Sequence, residues 1–296
     1  MELAGSIVAI VTPFAGGRID KAAFADLIEW QIAEGTDGIV VAGTTGESPT
    51  LSHDEHDDAI AFVAEKVAGR VPVIAGTGSN ATDEAVRLTK HAAAVGADAA
   101  LVVNPYYNRP PQEGLFRHFM AVAEAAPLPM LVYNIPGRTG GRVDHDTMIR
   151  LASHPNIVGV KDATGDLAGA ARLLAALPDF IVLSGDDLVT LPMMALGGKG
   201  VISVTANVMP KPMAELCRAA NDGDYAAART TMKTIVDVMV AMTLEVNPLP
   251  VKTALALMGR VAEEFRLPLC EMAPTNRNHL EEVLGRAGLI RTREYS

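Results

Sequence analysis

The sequence predicts a (β/α)8 TIM barrel with a C-terminal helical extension. Three observations carry that prediction. Eight short, apolar, β-branched runs lie at 7–11, 38–42, 72–75, 99–103, 130–134, 157–161, 181–184 and 200–203. Amphipathic stretches of helical period separate them, at 21–33, 53–67, 82–95, 112–125, 144–152, 167–176 and 187–196. After Ser203 the strand pattern stops, and 210–221, 225–245, 251–260 and 275–286 all read as helix. Strand–helix alternation repeated eight times is the pattern of a closed parallel barrel. An open doubly wound sheet is the alternative, but no G-x-G-x-x-G turn opens its first helix.

The element boundaries have local causes. Asp20, Ser52, Thr82 and Asp144 each offer a side-chain oxygen to the free N–H groups of a helix start. Gly35, Gly96 and Gly197 close helices where left-handed geometry is needed. Pro248 and Pro250 break the C-terminal extension into separate helices. The predicted division is a catalytic barrel at 1–224 and a helical domain at 225–296.

Composition narrows the function. With 49% hydrophobic residues over 296, the chain can bury a barrel-sized core. A net charge of -10, with Lys and Arg scattered, argues against nucleic acid or an anionic membrane as partner. A local cationic site for a small anion remains compatible with it. Cys217 and Cys270 are too few for a disulfide framework and lie in no metal-ligand spacing. No signal-type leader and no uncharged run long enough to span a bilayer is evident, so a cytoplasmic protein is expected. His53 and His56, three apart, can chelate a metal on a helix, but no third ligand accompanies them. Neither metal nor cofactor is expected.

In such barrels chemistry sits at the carboxyl ends of the strands. The second run ends in Gly43-Thr44-Thr45-Gly46-Glu47-Ser48, the fourth in Asn104-Pro105-Tyr106-Tyr107-Asn108-Arg109, and the fifth in Tyr133-Asn134-Ile135-Pro136-Gly137-Arg138-Thr139-Gly140. The sixth ends in Lys161 and the seventh in Ser184-Gly185-Asp186-Asp187. A lysine delivered by a buried strand sits at low dielectric, which penalises its charged form. A neutral amine there can form a Schiff base with a carbonyl. Lys199 precedes its strand and belongs to the opposite rim, Lys252 lies in the helical extension, and Lys21, Lys66, Lys90 and Lys233 fall on helices. Only Lys161 has the required position. The Gly-Thr-Thr-Gly turn can hold a carboxylate on backbone N–H groups and hydroxyls. Tyr133 can shuttle protons, and Arg138 can fork onto a second carboxylate. The bland alternatives are a solvated strand-end lysine, an ordinary turn, a packing tyrosine and a surface arginine. Gly76-Thr77-Gly78-Ser79 and Gly197-Gly198-Lys199-Gly200 resemble phosphate cradles but lack full P-loop spacing.

Gly43-Thr44-Thr45-Gly46-Glu47, Tyr133 to Gly140, and Gly159-Val160-Lys161-Asp162 together resemble the signature blocks of the pyruvate-dependent class I lyase/aldolase superfamily. Within it the chain is most similar to the 4-hydroxy-tetrahydrodipicolinate (dihydrodipicolinate) synthases. That similarity extends through the extension, including Asn247-Pro248-Leu249-Pro250-Val251-Lys252. The resemblance implies condensation of pyruvate with L-aspartate 4-semialdehyde in the diaminopimelate route to L-lysine. It implies that Lys161 forms the imine, and that Tyr133 relays protons through Thr44 and through Tyr107 of a second subunit. It implies Thr45 on the pyruvate carboxylate, Arg138 on the semialdehyde carboxylate, and Gly185 and Ile202 lining the pocket. It further implies a homotetramer of tight dimers inhibited by L-lysine at Ser48, Pro49, His53, His56, Asn80, Glu84 and Tyr106.

Two other functions fit parts of the pattern. A lyase or dehydratase of sugar keto acids would share Lys161 and the Thr-Thr turn, but Arg138 speaks against it. A catalytically dead barrel that binds a metabolite would need the turn and no reactive amine.

Overall fold

The computed structural model describes residues 3–291, so the two outer ends of the predicted domains lie outside the described residues. Eight parallel strands hydrogen-bond in chain order and close on themselves: β1 (Gly5–Ala9), β2 (Gly38–Val41), β3 (Val73–Gly76), β4 (Ala99–Val103), β5 (Met130–Asn134), β6 (Ile157–Asp162), β7 (Ile181–Ser184) and β8 (Gly200–Ser203). Closure is made at β1, which pairs Ile7 with Ile202 on one side and with Gly38 on the other. The barrel is therefore the fold, and the open-sheet alternative is excluded. Each strand is nearly continuous in buried β-branched and aliphatic residues, as a sheet covered on both faces requires.

Successive strand residues face opposite sides. Ile7, Ala9, Val40, Ile74, Ala99, Leu101, Leu131, Tyr133, Leu183 and Ile202 form one cluster inside the cylinder. The other parity, including Val8, Ile39, Val41, Val102, Val132 and Val160, packs outward under the helices. Those helices are α1 (Lys21–Ala33), α2 (His53–Val67), α3 (Thr82–Ala94), α4 (Gln112–Ala125), α5 (His145–Leu151), α6 (Leu167–Ala176), α7 (Thr190–Ala195) and α8 (Pro210–Asn221). Among the described residues no helix is long and apolar enough to cross a membrane.

Several local expectations need correction. Asp20 caps α1 and Ser52 caps α2 in a reciprocal capping box with Glu55. Thr82, however, is the first residue of α3, and its hydroxyl instead contacts His118 Nδ1 at 3.0 Å. Asp144 stands at the start of α5 but its carboxylate caps nothing; it lies 3.6 Å from Arg142 Nε. Pro136–Thr139, where Pro, Gly and the end of a strand run predict a loop, is a one-turn helix. The helix expected at 187–196 opens with a 3-10 turn, Asp187–Val189. A small hairpin, Phe14–Ala15 with Arg18–Ile19, was not expected.

Three further helices complete the chain: α9 (Tyr225–Ala241), α10 (Leu249–Leu257) and α11 (Pro274–Arg286). Helix α8 packs against β1, α9 against α8, and α11 against both α9 and α10. Pro250 does not interrupt α10 but sits in its first turn, where a missing N–H is tolerated. Residues Leu249 to Leu255 of α10 are all buried, which brings its start down onto the barrel mouth.

Candidate active site

The site begins with the β5–β6 ladder. Tyr133 is paired with Lys161 in the register, and Val103 with Tyr133, so Val103, Tyr133 and Lys161 share one level of the barrel interior. Lys161 is only 6% exposed, and its Nζ lies 4.1 Å from the centre of the Tyr133 ring. Among the described residues no carboxylate pairs with it, so its amine is not committed to an ion pair. The solvated strand-end alternative is thereby excluded.

A cavity of about 50 Å³ exposes Lys161 and Tyr133 together with Thr44, Thr45 and Ser48. The turn that carries the threonines is tightly specified. The N–H groups of Gly46 and Ser48 donate to the Gly43 carbonyl, and that of Glu47 to the Thr44 carbonyl. These three N–H groups close the turn, which narrows the expected nest to the N–H groups of Thr44 and Thr45. Gly76 of β3 lies beneath it, and a Cβ there would meet the Ala42 carbonyl oxygen at 2.2 Å. Thr45 Oγ1 accepts from Asn247 Nδ2 at 3.0 Å, and the Asn247 carbonyl accepts from Arg138 Nη2 at 3.1 Å. Asn247 thus joins the turn to the expected carboxylate-binding arginine, a link the sequence reading did not find.

A second cavity, of about 360 Å³, adjoins the first and shares Thr44, Ser48, Gly76, Gly78 and Val103 with it. Arg138 lines this larger space, as do Pro49, His53, His56, Glu84 and Tyr106. His53 Nε2 contacts Glu84 Oε1 at 2.7 Å, and Ser79 Oγ donates to the other Glu84 oxygen. The Ser79 hydrogen bond and, less strongly, His53 hold the Glu84 carboxyl below its ordinary range. His56 is buried, and burial lowers its pKa. Its Nε2 lies 2.9 Å from the Gly76 carbonyl, which can only accept, so the proton sits on Nε2. Nδ1 is buried without a hydrogen-bond partner among the described residues, with Asp57 Oδ1 3.9 Å away. Asn80 does not line the cavity, but its Nδ2 donates to the Tyr106 carbonyl at 3.2 Å. The histidine pair belongs to this cavity; among the described residues no cluster of His, Cys, Asp or Glu is arranged to hold a metal.

Four of the expected catalytic and substrate-binding residues stand apart from the small cavity, Arg138 among them because it lines only the larger one. Ile202 lies in the interior cluster beside Tyr133 and Leu183. Gly185 packs against Ala163, with its N–H on the Asp162 carbonyl at 2.7 Å. Tyr107 is 90% exposed and has a positive φ of 73°, so its phenol faces away from its own barrel's packed interior.

A buried amine at the sixth strand end, a phenol against it and a hydroxyl-bearing turn define a Schiff-base lyase of the (β/α)8 class. Comparison with known proteins narrows the class. Residues 2–287 match the dihydrodipicolinate synthetase family model, and the chain belongs to that family. It is 56% identical over 288 residues to 4-hydroxy-tetrahydrodipicolinate synthase of Thermodesulfovibrio yellowstonii, covering 97% of this chain and 99% of that one. It superposes with a TM-score of 0.96 on the chloride-inhibited dihydrodipicolinate synthase of Acinetobacter baumannii complexed with pyruvate (48% identity; 98% of this chain, 100% of that one). The lysine-bound enzyme of Cyanidioschyzon merolae superposes with a TM-score of 0.94 (42% identity; 97% and 99% coverage). The chain is accordingly an enzyme of the lyase class.

Proposed function

We propose that the chain condenses pyruvate with L-aspartate 4-semialdehyde to 4-hydroxy-tetrahydrodipicolinate, a step of the diaminopimelate route to L-lysine. The observation that carries this is the unpaired, buried Lys161 amine sharing one cavity with Tyr133, Thr44 and Thr45. Lys161 Nζ attacks the pyruvate ketone carbon, water leaves, and a protonated imine forms. The imine withdraws electrons, so the methyl group loses a proton and becomes an enamine carbon. That carbon bonds to the aldehyde carbon. The semialdehyde amine then attacks the imine carbon, closing the ring and releasing the lysine amine.

Each residue has a part in this reading. Tyr133 moves the protons, through Thr44 and through Tyr107 supplied by a second subunit. Thr45 holds the pyruvate carboxylate, and Arg138 holds that of the semialdehyde. Ile202, packed in the interior cluster with Tyr133, and Gly185, packed on Ala163, back the pocket from behind. The outward Tyr107 is consistent with an assembly in which subunits complete one another's sites, and we propose a homotetramer of tight dimers working in the cytoplasm. The catalytic barrel runs to residue 224 and the helical domain begins at 225. The pyruvate-bound relative supports the first substrate.

The larger cavity is the proposed site for feedback inhibition by L-lysine. Glu84 offers a carboxylate for an ammonium group, and His56 Nδ1 offers a buried acceptor. The lysine-bound relative supports L-lysine as a ligand. A coupled assay with pyruvate and aspartate semialdehyde tests the catalytic reading. Borohydride with pyruvate should leave an irreversible mass increase on Lys161. An unmodified protein, or faster turnover of sugar keto acids than of the semialdehyde, would refute it. Rates that stay flat up to millimolar lysine would remove the inhibition.

A further inference from the structure

The chain buries a second lysine, and its surroundings differ from those of Lys161. Lys252 on α10 and Glu47 at the end of the Thr-Thr turn are both 0% exposed, with Nζ 2.5 Å from Oε1. The ammonium also lies 4.0 Å from the Phe14 ring. The other Glu47 oxygen accepts from the Arg266 N–H at 3.2 Å. Such a pair pays a heavy desolvation penalty, and apolar residues of the same size often serve stability as well. Its location suggests another use.

Glu47 has left-handed backbone geometry (φ 53°, ψ 35°), a conformation that L-residues with side chains adopt at a cost. Its N–H closes the turn on Thr44, and its carboxylate is committed to α10. Asn247, just before α10, donates to Thr45 Oγ1. The same segment of chain therefore grips the turn at two points. Because Thr45 Oγ1 already accepts a hydrogen bond, its own proton is free to donate to a substrate carboxylate.

We propose that Glu47 and Lys252 are positioning residues: their buried pair fixes the Thr44–Thr45 turn in the geometry that receives the pyruvate carboxylate. The C-terminal helical part is then a working part of the site. This rests on the pyruvate-lyase reading above.

The test compares wild type with Glu47→Gln/Lys252→Met, which removes both charges and strands neither. Pyruvate is titrated in borohydride trapping and in the coupled assay. In the folded double variant half-saturating pyruvate should rise about tenfold, while the Michaelis constant for aspartate semialdehyde changes by less than about twofold. A folded double variant with unchanged pyruvate dependence overturns the proposal, as does lowered thermal stability with both constants unchanged. Should the double variant fail to fold, the charge-preserving Glu47→Asp, whose shorter side chain must pull the turn or lose its grip on Lys252, carries the same expectation and the same refutation. Adduct on wild-type Lys161 with unchanged variants sinks the positioning role alone. No adduct on wild type sinks the lyase reading and this inference with it.

Discussion

Tyr133 and Lys161 are register partners on neighbouring strands, and the lysine Nζ stands 4.1 Å from the centre of the phenol ring. Parallel-strand partners point to the same face, so the ladder itself delivers amine and phenol together into the barrel. No loop has to move to assemble them. Lys161→Ala should therefore abolish borohydride-trapped pyruvate entirely, although Lys252 is also buried. Lys252 is held by Glu47 and lines neither cavity that contains the threonine turn. Peptide mapping of the trapped adduct checks this, and label on Lys252 would contradict it.

Tyr133→Phe keeps the ring packed against the amine and removes only the hydroxyl. A positioned proton-transfer group is worth on the order of 10²–10⁴ in rate. The variant should lose that order of kcat while its fold and thermal midpoint stay close to wild type. Circular dichroism and steady-state kinetics measured together decide the point; full activity in the variant would assign proton transfer to another group.

How far the site could be read in advance depended on whether its parts were local. Lys161 was legible because a β-branched run ends on it and Asp162-Ala163-Thr164-Gly165 follows. The threonine turn and Arg138 were legible for the same reason: each follows its strand directly. The Glu47–Lys252 pair joins residues 205 apart, and no local pattern connects them. One signal was available: Lys252 is the only charged residue in the largely apolar α10, Leu249–Leu257, which marks a lysine that burial must account for. Asn247 was part of a quoted motif but had no inferred partner, because its contacts with Thr45 and Arg138 are tertiary. Pro136–Thr139 misled because Pro and Gly signal a loop, whereas Pro at a helix start is also favourable.

Gly76→Ala should damage the carboxylate turn without touching any reacting group. The added Cβ would lie 2.2 Å from the Ala42 carbonyl oxygen and 3.1 Å from the Gly43 nitrogen, both backbone atoms. Backbone cannot rotate out of the way, so the chain leading into Thr44 must shift. Overpacking of this kind costs about 1–3 kcal/mol. The expected outcome is a lower denaturation midpoint together with weaker pyruvate saturation. Equal stability and equal kinetics would show that the turn tolerates displacement.

Glu84→Gln separates the two cavities. It removes the charge that would face a bound ammonium group while preserving a partner for Ser79. Inhibition by L-lysine should weaken by about tenfold or more, since charge-assisted hydrogen bonds are worth about 1.5–3 kcal/mol. The pyruvate Michaelis constant should stay near wild type, because Glu84 does not line the cavity of Lys161. Dose–response curves for lysine at fixed pyruvate test it.

Acid should weaken the fold partly through Glu55. Its carboxylate meets the Arg266 guanidinium as a two-pronged fork, at 2.6 and 2.7 Å, and that hydrogen bonding lowers its pKa from 4.5 to about 2. The unfolded chain then binds a proton more readily than the folded one. The stabilisation is fully present above 4.5 and is lost as pH falls toward about 2. The pair is partly exposed, so salt should shrink the effect. Glu55→Gln isolates the charge, because glutamine can still accept the Ser52 N–H of the capping box. Urea unfolding of both proteins near neutral pH and near the acid end of that window should show a stability gap that narrows on acidification. A gap of constant size would mean that the fork contributes packing and hydrogen bonds, and that its charge is not what acid removes.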